Sequence, residues 1–141
     1  MPRKPRIEYE GALYHAMSRG NRQEAIFRDD TDCELFLETL GQVCARTGWI
    51  VHGYVQMINH YHALIETPES NLSVGMKWLQ STYTQRFNRR DRKWGHLLQG
   101  RYKALLIDPD DDTYFRVVSH YIHLNPARAK RPMVKEGVLA S

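Results

Sequence analysis

The chain lacks several features that would place it quickly. It has two cysteines, Cys33 and Cys44, eleven positions apart on an expected helix. With no C-x-x-C pair there is no signal for a zinc knuckle or a dithiol redox motif, and both read as packing thiols. No apolar run approaches the length of a bilayer span, and the basic start "MPRKPR" is followed by acidic and polar residues where a secretory signal would place an apolar stretch. The expectation is therefore a soluble, cytoplasmic protein. No internal repeat, low-complexity segment or linker interrupts the chain, and 141 residues leave no room for a second large domain. Residues 1–141 are expected to fold as one domain around one core.

Acidic residues are scarce in one region in particular. Between Arg86 and Lys103, "RFNRRDRKWGHLLQGRYK" sets seven Lys or Arg against the single acid Asp91, and interleaves Phe87, Trp94 and Tyr102. A solvated helix face would account for part of this. Basic residues mixed with aromatics suit a phosphate backbone with bases to stack upon, and the net charge of +4 agrees with an anionic partner.

Periodicity supplies the elements. "ALYHAMSRG", Ala12 to Gly20, alternates as a first strand, with "GNR" as a turn. The cluster Asp29 to Asp32 starts a helix, since short acids cap free N–H groups and suit the positive end of the helix dipole. Phe36, Leu37, Leu40, Val43 and Cys44 follow at helical spacing until Gly48. "WIVHGYVQMI" (Trp49 to Ile58) and "HYHALIET" (His60 to Thr67) read as strands with almost nothing between them, hence an antiparallel hairpin closed by Pro68. From Asn71, the positions Leu72, Met76, Leu79, Tyr83 and Phe87 mark a second helix, and "YKALLID" (Tyr102 to Asp108) a fourth strand. "DPDDDT" then opens a third helix through Tyr114, Val117, Val118, Tyr121 and Ile122, stopped by Pro126. The order βαββαβ plus a helix predicts an α+β, ferredoxin-like antiparallel sheet with both helices on one face. The other face is free for function or for the last helix.

One strand carries the sharpest signal. In "NHYHALIE", Asn59 to Glu66, His60 and His62 share a strand face while Tyr61 and Ala63 point to the other. Two neutral imidazoles side by side suit a divalent cation, although two satisfied histidines on a half-exposed strand would look the same. Glu66 shares their face if the strand stays regular. His52 should point away if the hairpin turn has an even number of residues. In "HYIHLNP", His120 to Pro126, Tyr121 and Asn125 are four apart and neighbours on one helical face, unless Asn125 leaves the helix before Pro126. Taken alone, Tyr121 also suits a core aromatic in line with Tyr114 and Val118.

Together these pieces resemble the single-tyrosine HUH transposases (histidine, hydrophobic residue, histidine), more narrowly the REP-associated tyrosine transposases and small insertion-sequence relatives. The matching stretches are "PRKPRIEYEGALYHAMSRGNR", "MINHYHALIE", "LLQGRYKALLID" and "YIHLNPARA", in the family's order and over nearly the whole chain. The resemblance implies an HUH nuclease fold in which His60 and His62 hold magnesium or manganese. It also implies that Tyr121, on the C-terminal helix, attacks single-stranded DNA to leave a 5′-phosphotyrosine link and a 3′-hydroxyl. Asn125 matches the position that can supply a third metal contact. A phenol of ordinary pKa near 10 is a weak nucleophile at neutral pH, which is why a cation and close positioning would be needed. Arg3, Lys4, Arg6, Arg19, Arg22, Arg86, Arg89, Arg90, Arg92, Lys93, Arg101 and Lys103 are the expected DNA contacts, with a hairpin and single-stranded flank as substrate and a monomer or homodimer as the assembly.

Three departures accompany the resemblance. "MINH" at Met57 to His60 replaces the family's usual "MPNH", which removes a rigidifying proline from the turn. "HYHA" replaces "HFHL" and puts the smaller Ala63 in the core. The chain ends at Ser141, before the "W-P-W-S-S" segment of many relatives, so the longer C-terminal tail is expected to be missing. Two other readings compete: a non-catalytic module that binds single-stranded or hairpin DNA, and a structural zinc protein built on His60 and His62.

Overall fold

The computed structural model describes residues 8–108 and the backbone of residues 135–139. Its described elements are β1 (Ala12–Arg19), a 3-10 turn (Asn21–Gln23), α1 (Asp30–Thr47), β2 (Ile50–Met57), β3 (His60–Thr67), α2 (Leu72–Asp91), β4 (Lys103–Ile107) and β5 (Lys135–Leu139). The strands form one sheet in the order β4-β1-β3-β2-β5, with every neighbouring pair antiparallel. The first four strands have the split βαβ arrangement that the element order predicts. β5 was not anticipated: a five-residue run, "KEGVL", too short to stand out by pattern, pairs with the outer edge of β2. The expected helix carrying Tyr121 and Asn125 lies outside the described residues, as do Arg3, Lys4 and Arg6.

Local chemistry sets the helix boundaries. Asp29 accepts from the Asp32 N–H at 2.9 Å as the N-cap of α1, and Gly48 ends the helix in the left-handed region at φ 79°. α1 and α2 both cover one sheet face. The core joins Ala12, Tyr14 and Ala16 of β1 with Tyr61, Ala63 and Ile65 of β3, under Phe36, Leu40 and Val43 of α1 and Met76, Leu79 and Tyr83 of α2. Because side chains alternate along a strand, this burial turns His15, Met17 and Arg19 of β1, and His60, His62 and Glu66 of β3, to the opposite face.

Two anchors hold the helices to each other and to the sheet. Trp49 is fully buried, and its Nε1–H donates to Asn71 Oδ1 at 3.0 Å just before α2. Gly75 leaves the room for this ring: a Cβ there would lie 2.1 Å from Trp49 Cζ2. At the other end of α2, the fully buried Asp32 carboxylate accepts from Arg28 Nε at 2.8 Å and Arg90 Nη1 at 2.6 Å. Arg28 also lies 3.8 Å over the Phe87 ring and pairs with Asp91. Burial works to raise the Asp32 carboxyl, but the Arg28 and Arg90 hydrogen bonds outweigh it and hold it below the usual carboxylate range.

Candidate metal centre and nucleic-acid surface

His60 and His62 stand side by side on β3, with ring centroids 5.1 Å apart and ring planes nearly perpendicular. Each is gripped at Nδ1. The His60 Nδ1–H donates to Asn59 Oδ1 at 2.8 Å, and since a carbonyl oxygen only accepts, the lone pair of the neutral ring is left on Nε2. His62 Nδ1 lies 3.0 Å from Nε2 of His15, whose ring stacks on it at 5.1 Å. In the tautomer where His62 Nδ1–H donates to His15, the His62 lone pair also resides on Nε2. Ligating imidazoles are commonly oriented in this way, through a hydrogen bond from the nitrogen that does not bind metal.

The electrostatics agree with a ligand role. Burial, reinforced by His15, His60 and Arg19, pushes the His62 imidazole down to about 3, and burial also lowers His15. Both are neutral near pH 7, the form a cation binds.

Neighbouring residues fall into place around the pair. Tyr61, between the two histidines, points to the helices and donates to Gln80 Oε1 at 2.9 Å. Burial raises its phenol well above the ordinary value, so it is no candidate nucleophile. Glu66 does share the histidine face, but it lies four positions along the strand from His62, roughly 13 Å, and it pairs with His52 Nε2 at 2.9 Å. The turn is even, two residues long, yet His52 does not point away from that face: a bulge in β2 between Val51 and Gly53 shifts the register and brings it to Glu66. Among the described residues no group of three His, Cys, Asp or Glu could hold a metal ion.

The turn ahead of His60 is held without the proline. The Ile58 carbonyl accepts from Ile26 N at 2.8 Å and Phe27 N at 3.1 Å, and the Asn59 carbonyl from Gly20 N at 2.8 Å. Gly20 cannot be larger, since a Cβ would sit 2.1 Å from the Glu24 carbonyl oxygen. Just beyond it Arg22 and Gln23 adopt left-handed φ of 56° and 59°, a strained pair of which Gln23 shares a cleft with His60. Arg19, Gln23, Met57, Asn59 and His60 together line a cleft of about 250 Å³.

The basic stretch divides by environment. Arg86 donates to Thr39 Oγ1 at 2.7 Å, and Arg90 is engaged by Asp29 and Asp32. Phe87 and Tyr102, expected as stacking surfaces, are instead buried at 5% and 8% exposure because helical period and strand alternation turn them inward. Arg89, Arg92 and Lys93 border a depression of about 490 Å³ beside Trp94. Arg19, Arg101 and Lys103 border another of about 470 Å³ next to the histidine cleft, and Arg22 is exposed nearby.

Comparison with known proteins settles the family. The model of the IS200-like transposases matches residues 8–125, most of the chain. The chain belongs to the IS200-like transposase family. Two solved structures are similar to this transposase in fold. One is a REP-associated tyrosine transposase bound to a REP hairpin, with TM-score 0.75 and 16% identity over 95% of this chain and 82% of that one. The other, assigned as a transposase of Deinococcus radiodurans R1, has TM-score 0.59 and 17% identity over 86% of this chain and 96% of that one. No curated protein matches the sequence significantly.

Two residues of this transposase had no role in the sequence reading. His15 meets His62 only because β1 pairs with β3 in a register that sets Met17 opposite His62. Asn59 could have been noticed as the polar residue directly before His60. No helix among the described residues is long and apolar enough to cross a membrane.

Proposed function

We propose that this transposase cuts and rejoins single-stranded DNA through a covalent link to Tyr121, with His60 and His62 holding a magnesium or manganese ion and Asn125 as a further ligand. The observation that carries the reading is the imidazole pair, side by side on one strand face with both Nδ1 atoms engaged. A cation held there would supply Lewis acidity and alignment at the phosphate. In the proposed step the Tyr121 phenolic oxygen forms a bond to phosphorus and the bond from phosphorus to the 3′ oxygen breaks. The phenol proton is released and the departing oxygen gains one, giving a 3′-hydroxyl. One phosphoester replaces another, so a second DNA 3′-hydroxyl can later attack the link and join strands without activated water.

The likeness to a hairpin-bound relative supports a hairpin with a single-stranded flank as substrate. Arg19, Arg101 and Lys103, beside the histidine cleft, would contact its phosphates, with Arg3, Lys4, Arg6 and Arg22 as further contacts. Arg86 and Arg90 would serve DNA binding indirectly, by fixing α2 on α1.

Incubation with single-stranded hairpin DNA and manganese, followed by a denaturing gel, tests this. A slower band is expected, dependent on manganese and lost in Tyr121→Phe and in His60→Ala. A band persisting in Tyr121→Phe overturns the assignment, and salt-sensitive binding with no band in any condition favours the non-catalytic binding module.

A further inference from the structure

We infer that Trp94 is a stacking platform for an unpaired base of single-stranded DNA, at the far end of a track of depressions leading to His60. The inference rests on the DNA reading above and adds a subsite to it. Three tryptophans occupy three environments. Trp49 is wholly buried, Trp78 packs under the Arg46 guanidinium at 4.8 Å, and Trp94 is 94% exposed. An indole left in water on a loop contributes nothing to the core, yet this loop is well fixed. Lys93 N donates to the Asn88 carbonyl at 2.9 Å, and Asn88 Nδ2 donates to the Gly95 carbonyl at 3.1 Å, on either side of Trp94. The ring is therefore held out on a short braced turn.

Its surroundings name the ligand class. Arg89, Arg92 and Lys93 line the same depression, and no acid does. A planar apolar face ringed by cations fits a base whose adjoining phosphates meet those cations. Continuity with the histidine cleft supports a strand over an isolated nucleotide. Gln85 borders both this depression and the next, Gly100 borders that one and the third, and Arg19 and Gln23 border the third and the cleft that includes His60. Backbone bonds from Asn21 N to Leu97 O and from Gln99 N to Arg19 O, both 2.8 Å, tie the intervening loop to the end of β1. The track is thus built on the same rigid unit as the site.

The test is equilibrium binding of an unstructured oligo-dT strand and of an abasic strand of equal length, across a salt series. Trp94→Ala is expected to weaken oligo-dT binding roughly 5- to 100-fold, and Trp94→Phe to restore most of it. The salt slope should stay unchanged in Trp94→Ala, whereas Arg92→Ala lowers it by about 0.7, one phosphate contact's worth. On the abasic strand wild type and Trp94→Ala should bind equally. Wild-type binding of oligo-dT that Trp94→Ala does not weaken overturns this inference and leaves the proposed function standing. An equal loss on the abasic strand also overturns it, by showing that Trp94 does not act on bases. Failure of the wild type to bind oligo-dT overturns this inference, and the hairpin gel then decides the proposed function separately.

Discussion

Replacing His15 by Phe isolates the contact that orients His62. Phenylalanine keeps a ring to stack where the imidazoles now lie 5.1 Å apart, but removes the nitrogen 3.0 Å from His62 Nδ1. His62 is 4% exposed, so water does not readily take that place. The ring then has two options. It keeps the proton on Nδ1 as a buried donor without a partner, at about 1–3 kcal/mol, or it moves the proton to Nε2 and blocks the ligating atom. The first option costs folding stability; in the second, metal binding must return the proton to Nδ1 and restore the uncompensated donor, which corresponds to roughly 5- to 150-fold in affinity and overlaps the 10- to 100-fold loss usual for such outer partners. Manganese titrations followed by the signal of the free ion measure this directly, with His60→Ala as the control that removes a proposed ligand. His15→Gln, which retains an acceptor, should recover part of the affinity. If His15→Phe binds manganese as tightly as wild type while folding normally, His15 does not orient His62 and the account of the site fails at that point.

Two further outcomes follow from the anchors of the fold. Gly75→Ala should be destabilising even though alanine is favoured over glycine in a helix by about 1 kcal/mol. The added Cβ meets the Trp49 ring at 2.1 Å, and overpacking costs about 1–3 kcal/mol. A melting temperature several degrees below wild type is expected, and an unchanged or higher one would show that the ring moves freely. Acid should loosen the end where α1 begins. Hydrogen bonds from Arg90 and from the Asp32 N–H hold the Asp29 carboxyl down to about 2, and Asp32 is also held low, so their contribution is present above the ordinary carboxylate pKa near 4 and is lost as pH falls toward 2. Melting temperatures against pH should fall less steeply over that window in Asp29→Asn, and an identical slope would remove Asp29 from the linkage.

Local signals in the sequence carried most of the architecture. α1 was legible from both ends because Asp29 and Gly48 act within a few residues of themselves, and the β2–β3 hairpin because its strands are rich in β-branched and aromatic residues and separated by two positions. Readings that depended on pairing across the sheet fared less well. The bulge that redirects His52 is a one-residue shift with no composition signal, and β5 is a short strand defined by the edge it joins. In the basic stretch, the residue types were read without their helical phase. That phase buries Phe87 and places Arg90 against Asp32, while Trp94, past the end of α2, escapes into solvent. The histidine pair was visible as a motif, with Asn59 beside it as a polar neighbour, but the grip of His15 on His62 belongs to the folded register alone.

The central claim is that Tyr121 becomes joined to DNA. Trypsin cutting after Arg116 and Arg128 yields the peptide 117–128, "VVSHYIHLNPAR", whose only tyrosine is Tyr121. After reaction with hairpin DNA and manganese, nuclease trimming and digestion, mass spectrometry should find this peptide carrying a phosphonucleotide on the tyrosine. The same modification on the neighbouring peptide that contains Tyr114, or on no peptide despite a covalent band, would contradict the account.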